Sequence, residues 1–226
     1  MRTAVTDLDS RGYAIAPRVI EPREISTVSR AIDRLTVRGA GTRNLLDRPW
    51  GRALVQRVRN RLASSNVLPL SSVAVQCTLF DKTPSRNWLV ALHQDLSIPV
   101  RARVNHPSLR AWSTKEGAAF VQPPVTLLER LVAVRLHVDD CGPENGPLKV
   151  VPGSHASGRL STAAAIELRA TFGEASCLAK SGDAVLMRPL LLHASSKARA
   201  PSRRRVLHIV FGPPTLPHGL EWKHAV

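Results

Sequence analysis

The chain has 226 residues, of which 43% are hydrophobic and 22% are charged. This balance is typical of one globular domain and unlike that of disordered, collagen-like or coiled-coil proteins. The formal net charge is +15, but aromatic residues make up only 4% of the chain. Scattered basic residues with few aromatic partners do not indicate a surface that stacks nucleic-acid bases.

The cysteine count and the hydropathy pattern predict a cytoplasmic protein. Cys77, Cys141 and Cys177 are odd in number and far apart, so neither a disulfide framework nor a zinc ribbon is expected. The sequence has neither the apolar run of a membrane-spanning helix nor the apolar core of a secretion signal at its start. We therefore expect no membrane partner, and the sequence does not address the oligomeric state.

Two amphipathic helices are predicted in the first 70 residues. Over residues 22–38, Ile25, Val28 and Ile32 share one helical face. Pro49 suits the first turn of a second helix, which carries its apolar stripe up to Leu62. A third helix fits residues 162–171.

From residue 71 the hydrophobic period changes to two, which is typical of strands. One face of the first strand carries Val73, Val75, Cys77 and Leu79. The other face, expected to line a barrel interior, carries Gln76, Thr78, Phe80 and Lys82. Further strands are predicted over residues 88–93, 131–138, 148–151, 184–193 and 204–211. Pro189 interrupts the fourth of these and predicts a bulge or an edge.

Helices followed by many short strands favour a mainly β fold, a sandwich or barrel with the N-terminal helices packed on one sheet. We expect a single domain over residues 1–226, with a helical part to about residue 70 and a β core over about 71–215. Residues 97–124 form a predicted long loop. Loops of this length are often lids, and this one is expected to close over a polar or anionic substrate.

The segment His93-Gln-Asp95 is the first candidate site, because residues i and i+2 of a strand point to the same side. His193, at the end of an apolar segment, is the candidate third ligand. Two histidines and one carboxylate on one face of an octahedron leave three positions open, as in non-haem ferrous oxygenases. The spacing alone is weak, since His137-Val-Asp139 repeats it and a histidine at a strand end often serves only in hydrogen bonding.

Arg204 is the second candidate, 11 residues after His193. An oxygenase that consumes 2-oxoglutarate must hold its distal carboxylate, and a guanidinium does so bidentately without losing its charge. Arg203 and Arg205 flank Arg204 but face the opposite way on a strand. The alternative is that Arg204 is one more surface charge in an arginine-rich chain.

These residues, with others in the same order, resemble the phytanoyl-CoA dioxygenase family. The matching segments are Phe80-Asp-Lys82, His93-Gln-Asp95-Leu96, Asn145-Gly-Pro-Leu148, Val151-Pro-Gly-Ser-His155, Arg188-Pro-Leu-Leu-Leu-His193 and Arg204. The resemblance spans residues 76–211, and residues 112–124 are similar to a bacterial branch of the family.

The resemblance implies a double-stranded β-helix, a cupin-like jelly-roll barrel with Fe(II) at one mouth and with 2-oxoglutarate and O₂ as co-substrates. It implies His93, Asp95 and His193 as the iron ligands and Arg204 as the residue that holds 2-oxoglutarate. The expected reaction is hydroxylation of a small molecule with release of succinate and CO₂. Asp95 fills the position that halogenating relatives leave open for halide, which favours hydroxylation.

Other positions are weaker candidates. The possible further co-substrate contacts are Lys82, Gln76 and Arg135, the last standing where some relatives have an aromatic residue. The possible substrate contacts are His137, His155 and Trp112. For each of them, ordinary packing or a turn is the competing interpretation.

A second class of function stays open. The chain could be a non-catalytic basic binding protein for nucleic acid or another anionic ligand, on an oxygenase barrel whose site has decayed. Hydrolysis is not favoured, because the chain has neither a G-x-S-x-G nucleophile turn nor a glycine-rich phosphate loop. The expected partner is a small molecule, which the charge would allow to be anionic.

Overall fold

Three antiparallel sheets organise the chain in this computed structural model, which describes residues 3–37, 39–199 and 202–226. The larger sheet, in the order β1-β11-β8-β13-β3-β2, contains β1 (Tyr13–Ala16), β11 (Ala184–Met187), β8 (Val132–His137), β13 (Arg204–Gly212), β3 (Val73–Lys82) and β2 (Gly41–Thr42). The smaller sheet, β10-β9-β12-β4, contains β10 (Ala175–Cys177), β9 (Leu148–Val150), β12 (His193–Ser195) and β4 (Val90–His93). A three-stranded outer sheet contains β5 (Ile98–Val100), β7 (Ala118–Gln122) and β6 (Arg110–Lys115).

The predicted N-terminal helices cover the larger sheet. These two helices are α2 (Pro22–Asp33) and α3 (Pro49–Ser64). The other described α-helices are α1 (Ala4–Arg11), α4 (Val125–Leu128) and α5 (Thr162–Phe172). Buried side chains of α2 and α3, such as Val28 and Leu54, share one hydrophobic cluster with Leu79 and Leu207 of the sheet. The mainly β fold with helices on one sheet is therefore confirmed.

The first helix of the prediction ends earlier than expected. The Leu35 N–H turns back to the Ile32 carbonyl at 2.9 Å, so α2 stops at Asp33. Arg38, the predicted last residue, lies outside the described residues. The longest described helix, α3, has 16 residues, and none of the described helices combines the length and the hydropathy of a membrane-spanning segment.

The strand predicted over residues 184–193 is wrong, because it is two strands in different sheets. β11 ends at Met187, and β12 begins at His193 in the smaller sheet. Between them the Leu191 N–H donates to the Arg188 carbonyl at 3.0 Å, which closes a turn around Pro189. Proline has no N–H for a ladder, so here it marks the crossing between sheets rather than a bulge or an edge.

The predicted faces of β3 are correct from Gln76 onward and wrong before it. The β3–β13 pairing shifts register between Val210, opposite Gln76, and Phe211, opposite Ala74. This bulge leaves Val75 unpaired, and its side chain packs in a different hydrophobic cluster from Cys77. A bulge adds one residue to a strand and reverses the alternation beyond it.

Half of the long loop predicted over residues 97–124 is strand, since it contains the outer sheet β5–β7–β6. The sequence reading also missed α1 and β1, and β1 pairs with β11 at one edge of the larger sheet. The first 70 residues are therefore helical in part and supply two edge strands, β1 and β2, to the barrel.

Candidate metal centre

Three predicted ligands converge at the end of the smaller sheet. His93 ends β4 and His193 begins β12, and the two are paired across the ladder with ring centroids 4.1 Å apart. The Asp95 N–H donates to the Pro189 carbonyl at 2.9 Å, which fixes the carboxylate beside them. The ligand atoms of all three residues lie within 4.8 Å of one another. A single metal ion could therefore contact all three.

Backbone contacts orient both imidazoles toward the carboxylate. The Nδ1 of His93 is 2.8 Å from the Ala91 carbonyl, and the Nδ1 of His193 is 2.9 Å from the Leu191 carbonyl. A carbonyl only accepts, so each Nδ1 carries the proton and each Nε2 keeps its lone pair. The Nε2 atoms lie 3.8 Å and 3.7 Å from the two Asp95 oxygens. This arrangement is typical of histidines that bind a metal through Nε2.

Electrostatics favour the ligand forms of these groups. Burial lowers the pKa of His193 to about 4, against the attraction of Asp95, so its imidazole is neutral at pH 7. Burial opposes ionisation of Asp95, but the neighbouring His193, His208 and His93 outweigh it and the Asp95 pKa falls below its usual value. The site thus offers two imidazole nitrogens and one carboxylate, the donor set that suits non-haem Fe(II).

His208 is a site residue that sequence reasoning missed. It lies on β13, is only 5% exposed, and places Nε2 3.7 Å from an Asp95 oxygen. Burial lowers its pKa to about 4, and its Nδ1 has no hydrogen-bond partner among the described residues. A signal was available, because His208 has the same strand parity as Arg204.

The metal cluster opens into a cavity of about 410 Å³ between the two main sheets, a volume typical of small-molecule sites. The alternation predicted for β3 holds here, since four side chains of one parity line the cavity: Gln76, Thr78, Phe80 and Lys82. The outer sheet closes one side with Ile98, Lys115 and Phe120.

Three cations lie together in this cavity. Arg204 is 3% exposed, is paired with Lys82 across the β13–β3 ladder, and donates through Nη1 to the Gly146 carbonyl. Lys82 donates to the Ser196 carbonyl at 2.7 Å. Arg135 is 9% exposed with its guanidinium 5.5 Å from the Phe80 ring. The Nε atoms of Arg135 and Arg204 are buried without a hydrogen-bond partner among the described residues.

The cost of burying these charges shows in their pKa values. Burial, followed by the charges of Arg204 and Arg135, lowers the pKa of Lys82 to about 8. Burial, followed by Arg204, lowers the pKa of Arg135 to about 10. Buried cations with unused donors are costly unless an anion accompanies them. The cluster is therefore suited to a dicarboxylate.

The neighbours of Arg204 behave as their parity predicts. Arg203 donates to the buried carboxylate of Asp81 at 2.9 Å, and Arg205 binds Asp139 at 2.6 Å, both outside the cavity. Asp139 is thereby occupied, so the competing His137-Val-Asp139 segment is not a ligand pair. Arg188 likewise lies outside and pairs with Asp9 at 2.6 Å.

None of the three candidate substrate contacts is among the described residues that line the cavity. His137 is buried on β8 with the parity of Arg135 but does not line the cavity, and burial lowers its pKa to about 3. His155 follows a turn at Gly153 and directs Nε2 to the Asp9 carbonyl of α1, 3.1 Å away. Trp112 lies beside a register shift in β6 and packs under Arg103, 5.7 Å from its ring. As substrate contacts, His137, His155 and Trp112 stay predictions.

A family model described as phytanoyl-CoA dioxygenase matches residues 8–206. The chain belongs to the phytanoyl-CoA dioxygenase family. The resemblance stated from the sequence is therefore confirmed, and Fe(II), 2-oxoglutarate and O₂ are the cofactor and co-substrates that membership brings. No curated protein matches the chain.

Several solved structures share this fold. AviO1 of Streptomyces viridochromogenes Tue57 has 24% identity over 95% of each chain and a TM-score of 0.65. HygX of Streptomyces hygroscopicus, solved with nickel, 2-oxoglutarate and hygromycin B, has 18% identity over 96% of this chain and 89% of its own, with a TM-score of 0.67. The carbocyclase SnoK from nogalamycin biosynthesis has 18% identity over 96% and 87%, with a TM-score of 0.63. At these identities the likeness shows the barrel fold.

Proposed function

We propose that this protein is an Fe(II)- and 2-oxoglutarate-dependent dioxygenase that hydroxylates a small molecule. In the balanced reaction, one atom of O₂ enters the substrate C–H bond and the other enters succinate, and 2-oxoglutarate loses CO₂. The observation that carries the proposal is the His93, Asp95 and His193 triad at the mouth of a cavity that also holds the buried Arg204. We assign these three residues as metal ligands and Arg204 as the anchor of the distal carboxylate.

Bound Fe(II) would supply the redox chemistry that couples decarboxylation of 2-oxoglutarate to substrate oxidation. The chain's own residues position the reactants. The Arg204 fork fixes the distal carboxylate, and Lys82 and Arg135 balance the remaining negative charge. Gln76, whose amide donates to Thr78 at 3.0 Å, offers its carbonyl oxygen to the same cavity.

The type of reaction at the substrate, hydroxylation, is the more specific part of the proposal. A carbocyclase and an epimerase, SnoK and SnoN, share this fold, so the barrel does not dictate hydroxylation. The presence of a carboxylate ligand, Asp95, favours hydroxylation over halogenation. We further propose one catalytic domain over residues 1–226 that works in the cytoplasm, since Cys77, Cys141 and Cys177 are free thiols.

The first test is an anaerobic titration of the metal-free protein with Fe(II) and then with 2-oxoglutarate, followed by visible absorption. A weak charge-transfer band is expected when a keto acid chelates ferrous iron, and admission of O₂ should yield succinate. If iron binds without the band, the co-substrate assignment is wrong. If no iron binds and the protein instead shows a steep salt-dependent affinity for nucleic acid, the non-catalytic alternative replaces the proposal.

We predict that 2-oxoglutarate affinity falls as the pH rises above about 8. The free Lys82 ammonium has a pKa of about 8, so above this value binding must first protonate the amine. Calorimetric titration of the Ni(II)-loaded protein between pH 7 and pH 9.5 measures the effect. Lys82→Met should bind more weakly at pH 7 and lose this pH dependence. An unchanged pH profile in Lys82→Met would show that Lys82 does not contact the co-substrate.

A further inference from the structure

The cavity contains more positive charge than its co-substrate needs. Among the described residues that line it, the only carboxylate is that of Asp95, and the cations are Arg43, Lys82, Lys115, Arg135 and Arg204. Fe(II) with Asp95 contributes +1, and 2-oxoglutarate contributes −2. Arg204, Lys82 and Arg135 alone leave that assembly positive, before Lys115 and Arg43 are counted.

These cations lie on different parts of the barrel. Arg204 and Lys82 are paired across the β13–β3 ladder, and Arg135 lies on β8, which pairs with β13. Lys115 is on β6, and Arg43 is paired with the adjacent Glu116. Lys115 ends β6 in the outer sheet, so it lies on a different sheet from the β3–β13 ladder that carries Lys82 and Arg204. A co-substrate that reaches from the metal to Arg204 therefore leaves Lys115 unused.

Lys115 has no anionic partner among the described residues. Its Nζ lies over the Phe120 ring, 4.8 Å from the centroid, and contacts no hydrogen-bond acceptor there. The adjacent Glu116 is already occupied, because it accepts from the Arg43 N–H at 2.8 Å and pairs with the Arg43 guanidinium at 3.0 Å. The Glu116 carboxylate thereby neutralises Arg43 and ties the turn between β6 and β7 to it. Lys115 thus remains a partly buried cation with no ion pair among the described residues, in the cavity that the metal ligands also line.

The same cavity has apolar walls. Phe120, which lies under the Lys115 ammonium, and Ile98, Leu128 and Leu131 of the core beneath the outer sheet all line it. A ligand in this half of the cavity would meet apolar side chains around its body and one cation at its end. Such a pocket recognises an amphipathic acid.

We propose that the substrate to be oxidised carries an anionic group, a carboxylate or a phosphate, that Lys115 binds while an apolar body lies against Phe120. This inference rests on the proposed function, because it assumes that 2-oxoglutarate occupies the Arg204 side. Lys115 is thereby a specificity-determining residue, and the acid group sets which carbon of the substrate lies beside the metal.

The test uses the full chain loaded with Mn(II) and saturating 2-oxoglutarate. The probes are phenyl phosphate, phenylacetate and uncharged benzyl alcohol, and the measurement is the paramagnetic enhancement of ³¹P or ¹H relaxation. We expect at least one anionic probe to bind and benzyl alcohol to bind much more weakly. Lys115→Met should weaken binding of the anionic probe about tenfold, as expected for removal of a partly desolvated charge partner. Lys115→Arg should retain that binding.

The matched control is Lys180→Met, which removes an exposed lysine in a surface ion pair with Asp140. It should bind the anionic probes as the wild type does. Equal binding of benzyl alcohol and the anions would overturn the inference, as would anion binding that survives Lys115→Met or competes with 2-oxoglutarate. Failure of Mn(II) or 2-oxoglutarate to bind would instead contradict the proposed function, and the two failures are therefore distinguishable. Whether the site prefers a phosphate or a carboxylate is decided by which of the two anionic probes binds.

Discussion

Replacement of His193 by alanine is expected to lower the metal affinity at least about 100-fold, more than loss of an outer-shell partner typically costs. His193 is one of only three protein ligands in the proposed site, and it is 3% exposed with its Nδ1 held by the Leu191 carbonyl. Two remaining ligands cannot define one face of an octahedron. Calorimetric titration with Ni(II), and with Fe(II) under anaerobic conditions, measures the loss.

A second readout separates lost ligation from lost folding. A metal ion at 100 times its dissociation constant stabilises the native state by about 2.7 kcal/mol, so Ni(II) should raise the melting temperature of the wild type and leave that of His193→Ala unchanged. His218→Ala is the matched control, because His218 is an exposed histidine on the C-terminal segment. Wild-type metal affinity in His193→Ala would place the metal elsewhere in the chain.

The parts of the site that the sequence could predict depend on short-range geometry. The parity that turns Arg204 inward and the inward face of β3 from Gln76 to Lys82 follow from alternation along one strand. Asp95 lies beside His93 as the i, i+2 spacing predicts, but it is beyond the end of β4 and is positioned by its N–H bond to the Pro189 carbonyl. The third ligand needed more, because His193 meets His93 only through pairing of β12 with β4. Its position at the end of an apolar segment made His193 a candidate, and the family resemblance then implied it as a ligand.

The errors arise where distant segments decide the local structure. Val75 faces the wrong way because of a bulge against β13, and the crossing at Pro189 depends on where the two sheets separate. The β5–β7–β6 sheet was missed because its strands are three to six residues long and pair mainly with one another. His155 belongs to a matching motif, but its ring is held by α1, a helix that the sequence reading did not predict.

The charges of the site show why the folded structure was needed to separate functional from structural arginines. Arg203, Arg204 and Arg205 are indistinguishable by composition. In the fold, the outer two bind carboxylates, whereas Arg204 is buried with an unused Nε toward the cavity. The unused donor is therefore a better indicator of a binding residue than the residue type.

Arg204→Met is expected to weaken 2-oxoglutarate binding by about 2–5 kcal/mol, roughly 30-fold or more, with little change in metal affinity. Among the described residues that line the cavity, this guanidinium alone lies beside Lys82 on the β13–β3 ladder, at the end of the cavity assigned to the distal carboxylate. Calorimetric titration of 2-oxoglutarate into the Ni(II)-loaded protein measures the change. Arg199→Met, which removes an exposed arginine paired with Glu144, should have no effect.

Truncation of the ligand tests which guanidinium holds the distal carboxylate. Pyruvate keeps the keto acid group but has no second carboxylate, so its weak binding should be the same in the wild type and in Arg204→Met. The difference between the two ligands, compared across the two proteins, isolates the Arg204–carboxylate coupling as in a double-mutant cycle. If Arg135→Met shows that coupling and Arg204→Met does not, the distal anchor is Arg135. Because both variants leave His93, Asp95 and His193 in place, either result keeps the metal assignment and changes only the direction in which the co-substrate lies.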